Sequence, residues 1–247
     1  MNEATPPAPE RPAHTEPTTR YWQEILPAGH PAGAVTPPFR YGYPARLPDG
    51  RTLVLPIRPV PDGSRAAASF IANHAAFDVI DTLCRLMADL ARNVTADVVV
   101  GLPTLGLVFA PEVARQIGHA NYVPLGYSRK FWYQDGLSQD VSSFTTPQGH
   151  KKLFADPNLL PRLEGRRVIL IDDAISSGRT IVSALTLLDR LNCRCAAVVV
   201  AMKQGTAWRT ALEAHDRGLA ERVHGVFAAP LLAPLAEGWI PIDTADG

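Results

Sequence analysis

The chain has little that could staple it covalently and no excess charge that would attract a polyanion. Only three of its 247 residues are cysteine. Cys84, Cys193 and Cys195 cannot all pair, so a disulfide framework is excluded as the basis of the fold. Cys193 and Cys195, two apart at the entry to a strand, read as structural, and an isolated Cys-x-Cys is weak evidence for a metal. The 24 basic and 24 acidic residues cancel, and the pI is about 7.1. That excludes a general nucleic-acid or anionic-membrane surface. No apolar run approaches the ~20 residues needed to cross a bilayer. Residues 1–20 lack the apolar core of a secretory signal. A cytoplasmic protein with no membrane partner is the expectation.

What is present suits one α/β unit with a small appendage. Hydrophobic residues make up 46% and charged residues 19%, ordinary values for a globular chain. Pro6, Pro7, Pro9, Pro12 and Pro17 block regular structure in residues 1–20, which read as a disordered tail. Residues 21–65 read as a hairpin segment: strands over 43–47 and 52–57 flank the turn Pro48-Asp49-Gly50. Residues 66–93 read as a helix, with Phe77, Ile80, Cys84, Met87 and Ala91 on one apolar stripe. Strands follow at 96–100, 122–125, 168–171, 196–202 and 223–227, with helices at 109–117, 181–191 and 206–219 between them. The strands are apolar throughout rather than alternating, which predicts a parallel sheet covered on both faces. Right-handed crossovers would bring the ends carrying Gly101 and Asp172 to the same sheet edge.

Residues 168–180 are the most informative stretch: Val-Ile-Leu-Ile-Asp-Asp-Ala-Ile-Ser-Ser-Gly-Arg-Thr. A buried strand runs into two carboxylates, Asp172 and Asp173, expected at its end. A Ser/Gly loop and a helix starting near Arg179 follow. Amides and the hydroxyls of Ser176, Ser177 and Thr180 would surround one concavity beside a helix N-terminus, which suits a phosphate monoester. The paired acids are suited to accept hydrogen bonds from vicinal hydroxyls. Together they describe a ribose 5-phosphate site. The plainer reading is a strand followed by a helix-capping loop. A receiver-type acidic pocket would use strand-end aspartates but does not call for Ser-Ser-Gly-Arg-Thr.

This stretch resembles the signature of the type I phosphoribosyltransferases, and the likeness extends over about 66–227. The resemblance implies a Rossmann-like parallel sheet flanked by helices, with a small hood built from residues 21–65 and 228–247 around a core at 66–227. It implies transfer of a 5-phosphoribosyl group from phosphoribosyl pyrophosphate to a nucleobase nitrogen, a purine before a pyrimidine, with release of pyrophosphate. The alternative is a non-catalytic sensor of phosphoribosyl pyrophosphate on the same fold. Asp172 and Asp173 would serve the ribose, and Ala174, Ile175, Ser176, Ser177, Gly178, Arg179 and Thr180 the 5-phosphate. The turn Pro103, Thr104, Leu105 and Gly106, which lacks the Lys-Ser/Thr of a nucleotide P-loop, would face pyrophosphate. Adenine phosphoribosyltransferases usually carry Arg where Leu105 stands, so adenine is not assigned.

Arg129 and Lys130 match a cation pair that opens a flexible loop, here expected over 128–160, and neutralises pyrophosphate. A further Lys usually lies three residues on, where this chain has Tyr133. His150, Lys151 and Lys152 on the returning arm could supply it. Lys203 stands roughly where some relatives meet the base, and Trp208, Phe227 and Trp239 could stack on a heterocycle. Mg²⁺ would be bound mainly through substrate oxygens, with Asp172 or Asp173 near it, and no protein cage for a metal is visible. A homodimer is expected.

Overall fold

The structure is a computed structural model that describes residues 17–141 and 151–242. Most of the Pro-rich tail, His150 and the turn at Pro147, Gln148 and Gly149 lie outside the described residues.

The chain opens with an antiparallel hairpin, β1 (Gly42–Arg46) and β2 (Thr52–Pro59), closed by the predicted Pro-Asp-Gly turn. The expected helix at 66–93 is corrected at its start. Residues Ala66–Ala68 form a strand, β3, a short 3₁₀ turn follows at Ala72–His74, and the helix α1 runs only over Phe77–Ala91. Alanines favour helix locally. Here Ala66 and Ala68 are fully buried, and β3 pairs with β2 on one side and with a C-terminal strand on the other. Tertiary pairing outweighs the propensity. Phe77, placed on the buried stripe by its spacing, is the first helical residue and is 88% exposed. Val79, Leu83, Cys84, Met87 and Ala91 carry the packing instead.

The central sheet consists of β4 (Val98–Gly101), β5 (Val123–Pro124), β8 (Arg167–Ile175), β9 (Arg194–Gln204) and β10 (Val223–Ala229). Between β5 and β8 lies the hairpin β6 (Ser138–Val141) and β7 (Lys151–Phe154). The sheet order is β10-β9-β8-β4-β5 and every pairing is parallel, as the unbroken apolar strands predict. Helices cover both faces: α1 and α2 (Gly106–Gln116) pack with Val99, Ile169, Ile171 and Val199. The short α3 (Leu160–Leu163), α4 (Arg179–Asp189) and α5 (Ala207–His215) pack with Val98, Val168, Leu170 and Val200. Each strand thus sends alternate side chains to opposite layers. Burying one such Leu or Val contributes about 1.5–3 kcal/mol.

Beyond β10 the chain returns to the first hairpin through β11 (Leu231–Leu235) and β12 (Gly238–Pro241). These complete a second sheet of order β1-β2-β3-β11-β12, antiparallel at every pairing. It is the hood, built from both ends of the chain, and it includes Ala66–Ala68. One face shares the main core through Ala45, Leu53 and Leu55. Farther along the same face, Phe39, Ile57, Leu232 and Trp239 form a smaller cluster.

A candidate sugar-phosphate site at the carboxyl edge

Gly101 lies beside Ile171 in the β4–β8 register, so the two loops meant to share a site leave the sheet side by side. The strand does not stop at the acids as the sequence suggested. β8 continues through Asp172, Asp173 and Ala174 to Ile175, because β9 extends equally far and keeps pairing with it: Asp172 with Val200, Ala174 with Met202, Ile175 with Lys203. The carboxylates are therefore held by sheet hydrogen bonds rather than by a loop.

Asp172 is buried, 6% exposed, and its Oδ1 accepts the Asp173 amide at 2.9 Å. Asp173 is half-buried. Burial pushes the Asp172 carboxyl well above the usual range, and the Asp173 charge adds to it. Burial also raises Asp173. The two carboxyls also act on each other, which adds to the rise of Asp172 and offsets part of that of Asp173. Among the described residues no cation forms an ion pair with either one.

The turn from β4 into α2 forms the wall beside them. Leu102 donates its amide to the Ile171 carbonyl at 2.9 Å. Pro103 is buried and joined to Thr104 by a cis peptide bond, and Thr104 is exposed. Leu105 is half-buried, and Gly106 opens α2. A β-carbon on Gly106 would stand 2.8 Å from both Cα and Oδ1 of Asp172. No side chain fits there, and the bare glycine brings the α2 N-terminus against the acid pair.

On the other side the chain turns through Ser176 and Ser177. Ser177 Oγ accepts the Arg179 amide at 3.5 Å. Gly178 caps α4 at φ +77° in the left-handed region. A β-carbon there would lie 2.9 Å from Leu212 Cδ1 and 3.3 Å from the Trp208 Cα. Glycine is thus demanded by backbone conformation and by contact with α5, whatever ligand approaches. Thr180 is half-buried and Arg179 exposed on the first turn of α4. The first turn of α4 presents backbone amides and the positive end of the helix dipole, which makes this end attractive to an anion. Ile181, Ala184, Leu185 and Leu188 bury the opposite side and hold the helix in place.

The remaining expected residues lie farther out. Arg129 pairs with Asp135 at 2.7 Å, both exposed. Lys130 is exposed. The stem of Lys203 lies along the sheet over Gly225 of β10, where an added β-carbon would be 2.7 Å from its Cγ. That position lies back along the strand from the register partner Ala228. The structure does not bring Lys203 to the acids. Trp208, Phe227 and Trp239 are buried core residues, and the Trp208 indole donates to the Gly205 carbonyl at 3.0 Å. None has a face open for stacking.

Tyr127 escaped the sequence reading. It is half-buried, and its phenol is pushed up by burial and then by the charges of Asp172 and Asp173. Lys151 Nζ sits 5.3 Å above its ring. The available signal was its place, just past a strand on the loop side and just before Ser128-Arg129-Lys130.

An acid pair on a parallel strand, flanked by two glycine-dependent turns that each open a helix, sits at the carboxyl edge of an α/β protein, where such folds carry their sites. The chain matches the phosphoribosyl transferase domain family over residues 69–230. It belongs to that family and is a phosphoribosyltransferase enzyme with the type I fold. It is 26% identical over 165 residues to the adenine phosphoribosyltransferase of Sulfurovum sp. (strain NBC37-1), covering 64% of this chain and 88% of that protein. It is 35% identical over 105 residues to the bifunctional protein PyrR of Pseudomonas putida (strain W619), covering 42% of this chain and 55% of that one. The crystal structure of adenine phosphoribosyltransferase from Rhodothermus marinus superposes with a TM-score of 0.51 at 20% identity, covering 70% of this chain and 93% of that one. At that identity the likeness is one of fold.

Proposed function

We propose that this enzyme transfers the 5-phosphoribosyl group of phosphoribosyl pyrophosphate to a ring nitrogen of a nucleobase, a purine before a pyrimidine, and releases pyrophosphate. One observation carries the reading. The buried acid pair lies between the Gly106 turn and the Gly178 loop, and among the described residues no cation pairs with it. A buried pair of acids costs stability unless a ligand uses it.

In this reading Asp172 and Asp173 accept hydrogen bonds from the ribose hydroxyls. The hydroxyls of Ser176, Ser177 and Thr180 and the first amides of α4 hold the 5-phosphate, with Gly178, Arg179, Ala174 and Ile175 shaping the loop. Thr104, Leu105 and Gly106 turn backbone amides toward pyrophosphate, and Pro103 sets the turn. The transition state is oxocarbenium-like, so holding donor and acceptor in line and stabilising the departing charge do most of the work. Arg129 and Lys130 serve that charge once the loop closes, which requires Arg129 to leave Asp135.

Among the described residues no group of three or more His, Cys, Asp or Glu could hold a metal. Two adjacent carboxylates are present, which fits Mg²⁺ held chiefly by substrate oxygens, with Asp172 or Asp173 beside it. When bound it neutralises pyrophosphate charge. The purine preference is supported by the adenine phosphoribosyltransferase relative. The three free cysteines fit a reducing cytoplasm. A homodimer belongs to the same proposal and is checked by sedimentation.

The deciding experiment measures pyrophosphate release with phosphoribosyl pyrophosphate, Mg²⁺ and each common nucleobase in turn. Release with a purine supports the proposal. Tight binding of phosphoribosyl pyrophosphate with no turnover on any base shifts the conclusion to the sensor. The sensor reading draws on the Arg129–Asp135 pair, which holds one loop cation to its own loop.

A further inference from the structure

The loop after β5 and the strand β7 that closes it carry Arg129, Lys130, Lys151 and Lys152, and the structure distinguishes them. Gly126 and Phe154 exchange backbone hydrogen bonds at 2.8 and 3.1 Å, closing the base of the loop as an antiparallel bridge. With that register the returning strand runs back past Tyr127, and Lys151 lands on the Tyr127 ring at 5.3 Å from its centroid. Lys152, the next residue along β7, projects from the opposite face of the strand. Arg129 is bound to Asp135.

Tyr127 in turn is placed at the acid pocket by the sheet. Leu125 donates to the Gly101 carbonyl at 2.9 Å, and Gly101 lies beside Ile171, the residue before Asp172. The ring packs on the core layer under the loop, and the raised phenol registers both carboxylates. A half-buried aromatic is a firm seat for an ammonium, since the ring face attracts it and the side chain has few rotamers to lose.

We infer that Lys151, seated on Tyr127, is a further cation that meets the pyrophosphate of the bound substrate beside Arg129 and Lys130, and that Tyr127 is a positioning residue registering the returning arm. This rests on the proposed transferase reaction. It adds a cation from the returning arm and the aromatic contact that holds it. β7 supplies this charge from the returning arm of the loop. Lys151 is itself exposed, and seating on Tyr127 limits how freely its ammonium ranges.

Four variants test the inference in the full chain: Lys151→Met, Lys151→Arg, Tyr127→Phe and Tyr127→Leu. The readouts are calorimetric affinity for inorganic pyrophosphate with Mg²⁺, affinity for ribose 5-phosphate, and the split of kcat from KM. Lys151→Met should lose about tenfold or more in pyrophosphate affinity, the scale of one charge-assisted contact, and leave ribose 5-phosphate binding unchanged. Lys151→Arg and Tyr127→Phe should retain most of the affinity, because charge and ring both survive. Tyr127→Leu should behave like a weaker Lys151→Met. Wild-type pyrophosphate affinity in Lys151→Met overturns the role of the lysine, and wild-type affinity in Tyr127→Leu overturns the seat. Failure of the underlying reading looks different, since the unmodified protein would then bind neither ribose 5-phosphate nor pyrophosphate.

Discussion

The two edges of the central sheet both gather titratable groups, and they differ in how those groups are satisfied. At the amino edge a cavity of about 390 Å³ is lined by Asp189, Cys193, Cys195, His215, Asp216 and Arg222, among others. There the charged groups have protein partners. Arg222 bonds Asp216 and donates to the carbonyls of Cys195 and Gly218. His215 pairs with Asp189 at 3.1 Å. Cys193 donates to the Leu163 carbonyl at 3.0 Å, and burial pushes its thiol up to about 11 and that of Cys195 up to about 12. At the carboxyl edge, among the described residues, Asp172 and Asp173 are satisfied by each other and by backbone amides. A polar cluster that closes on itself ties helices together. One without such partners is what the ligand of the proposed reaction would complete.

The largest test of that contrast is Gly178→Val. It forces a left-handed backbone on a β-branched residue and drives a side chain into α5, at a cost of about 2–5 kcal/mol. Thermal unfolding should show the loss directly, and ribose 5-phosphate should no longer raise the melting temperature. Protection equal to that of the unmodified protein would remove the phosphate from this loop.

Next come the acids, where stability and binding should move in opposite directions. Asp172→Asn and Asp173→Asn should each weaken phosphoribosyl pyrophosphate binding by about 1.5–3 kcal/mol, the value of a charge-assisted hydrogen bond. Without ligand, Asp172→Asn should stabilise the protein. A carboxyl whose folded pKa is raised binds its proton more tightly in the folded state. Its stability is complete below the unfolded value of about 4 and falls as pH rises toward the folded one. The melting-temperature difference between variant and unmodified protein should therefore vanish at low pH and grow above about pH 4. A variant less stable at pH 7 would make the pair a structural element like those of the other edge.

Arg222→Leu is the converse and smaller case. It removes the clasp at the amino edge and should cost about 1–3 kcal/mol in denaturant unfolding, with kcat and KM unchanged at conditions where the protein is folded. A specific loss of turnover would mean that the two edges are coupled.

Much of the site was legible in linear order because its parts are contiguous. Asp172 through Thr180 lie on one strand, one turn and one helix start, and chain order alone places them together. The parallel sheet was legible for a similar reason, since strands such as Val98, Val99 and Val100 are apolar on both faces. Ala66–Ala68 was misread because alanine favours helix and only its two flanking strands make it extended. The acids were placed at a strand end because strand length depends on the partner β9.

By itself, then, the sequence determined the family signature, the order of strands and helices, and the glycines on which both turns depend, because each is encoded in local residue type and spacing. The tertiary structure decided that Gly106 touches Asp172, that Lys203 lies over Gly225, and that Lys151 rests on Tyr127. Those contacts join residues remote in the chain, and their geometry follows from strand register and close packing, which no local pattern specifies.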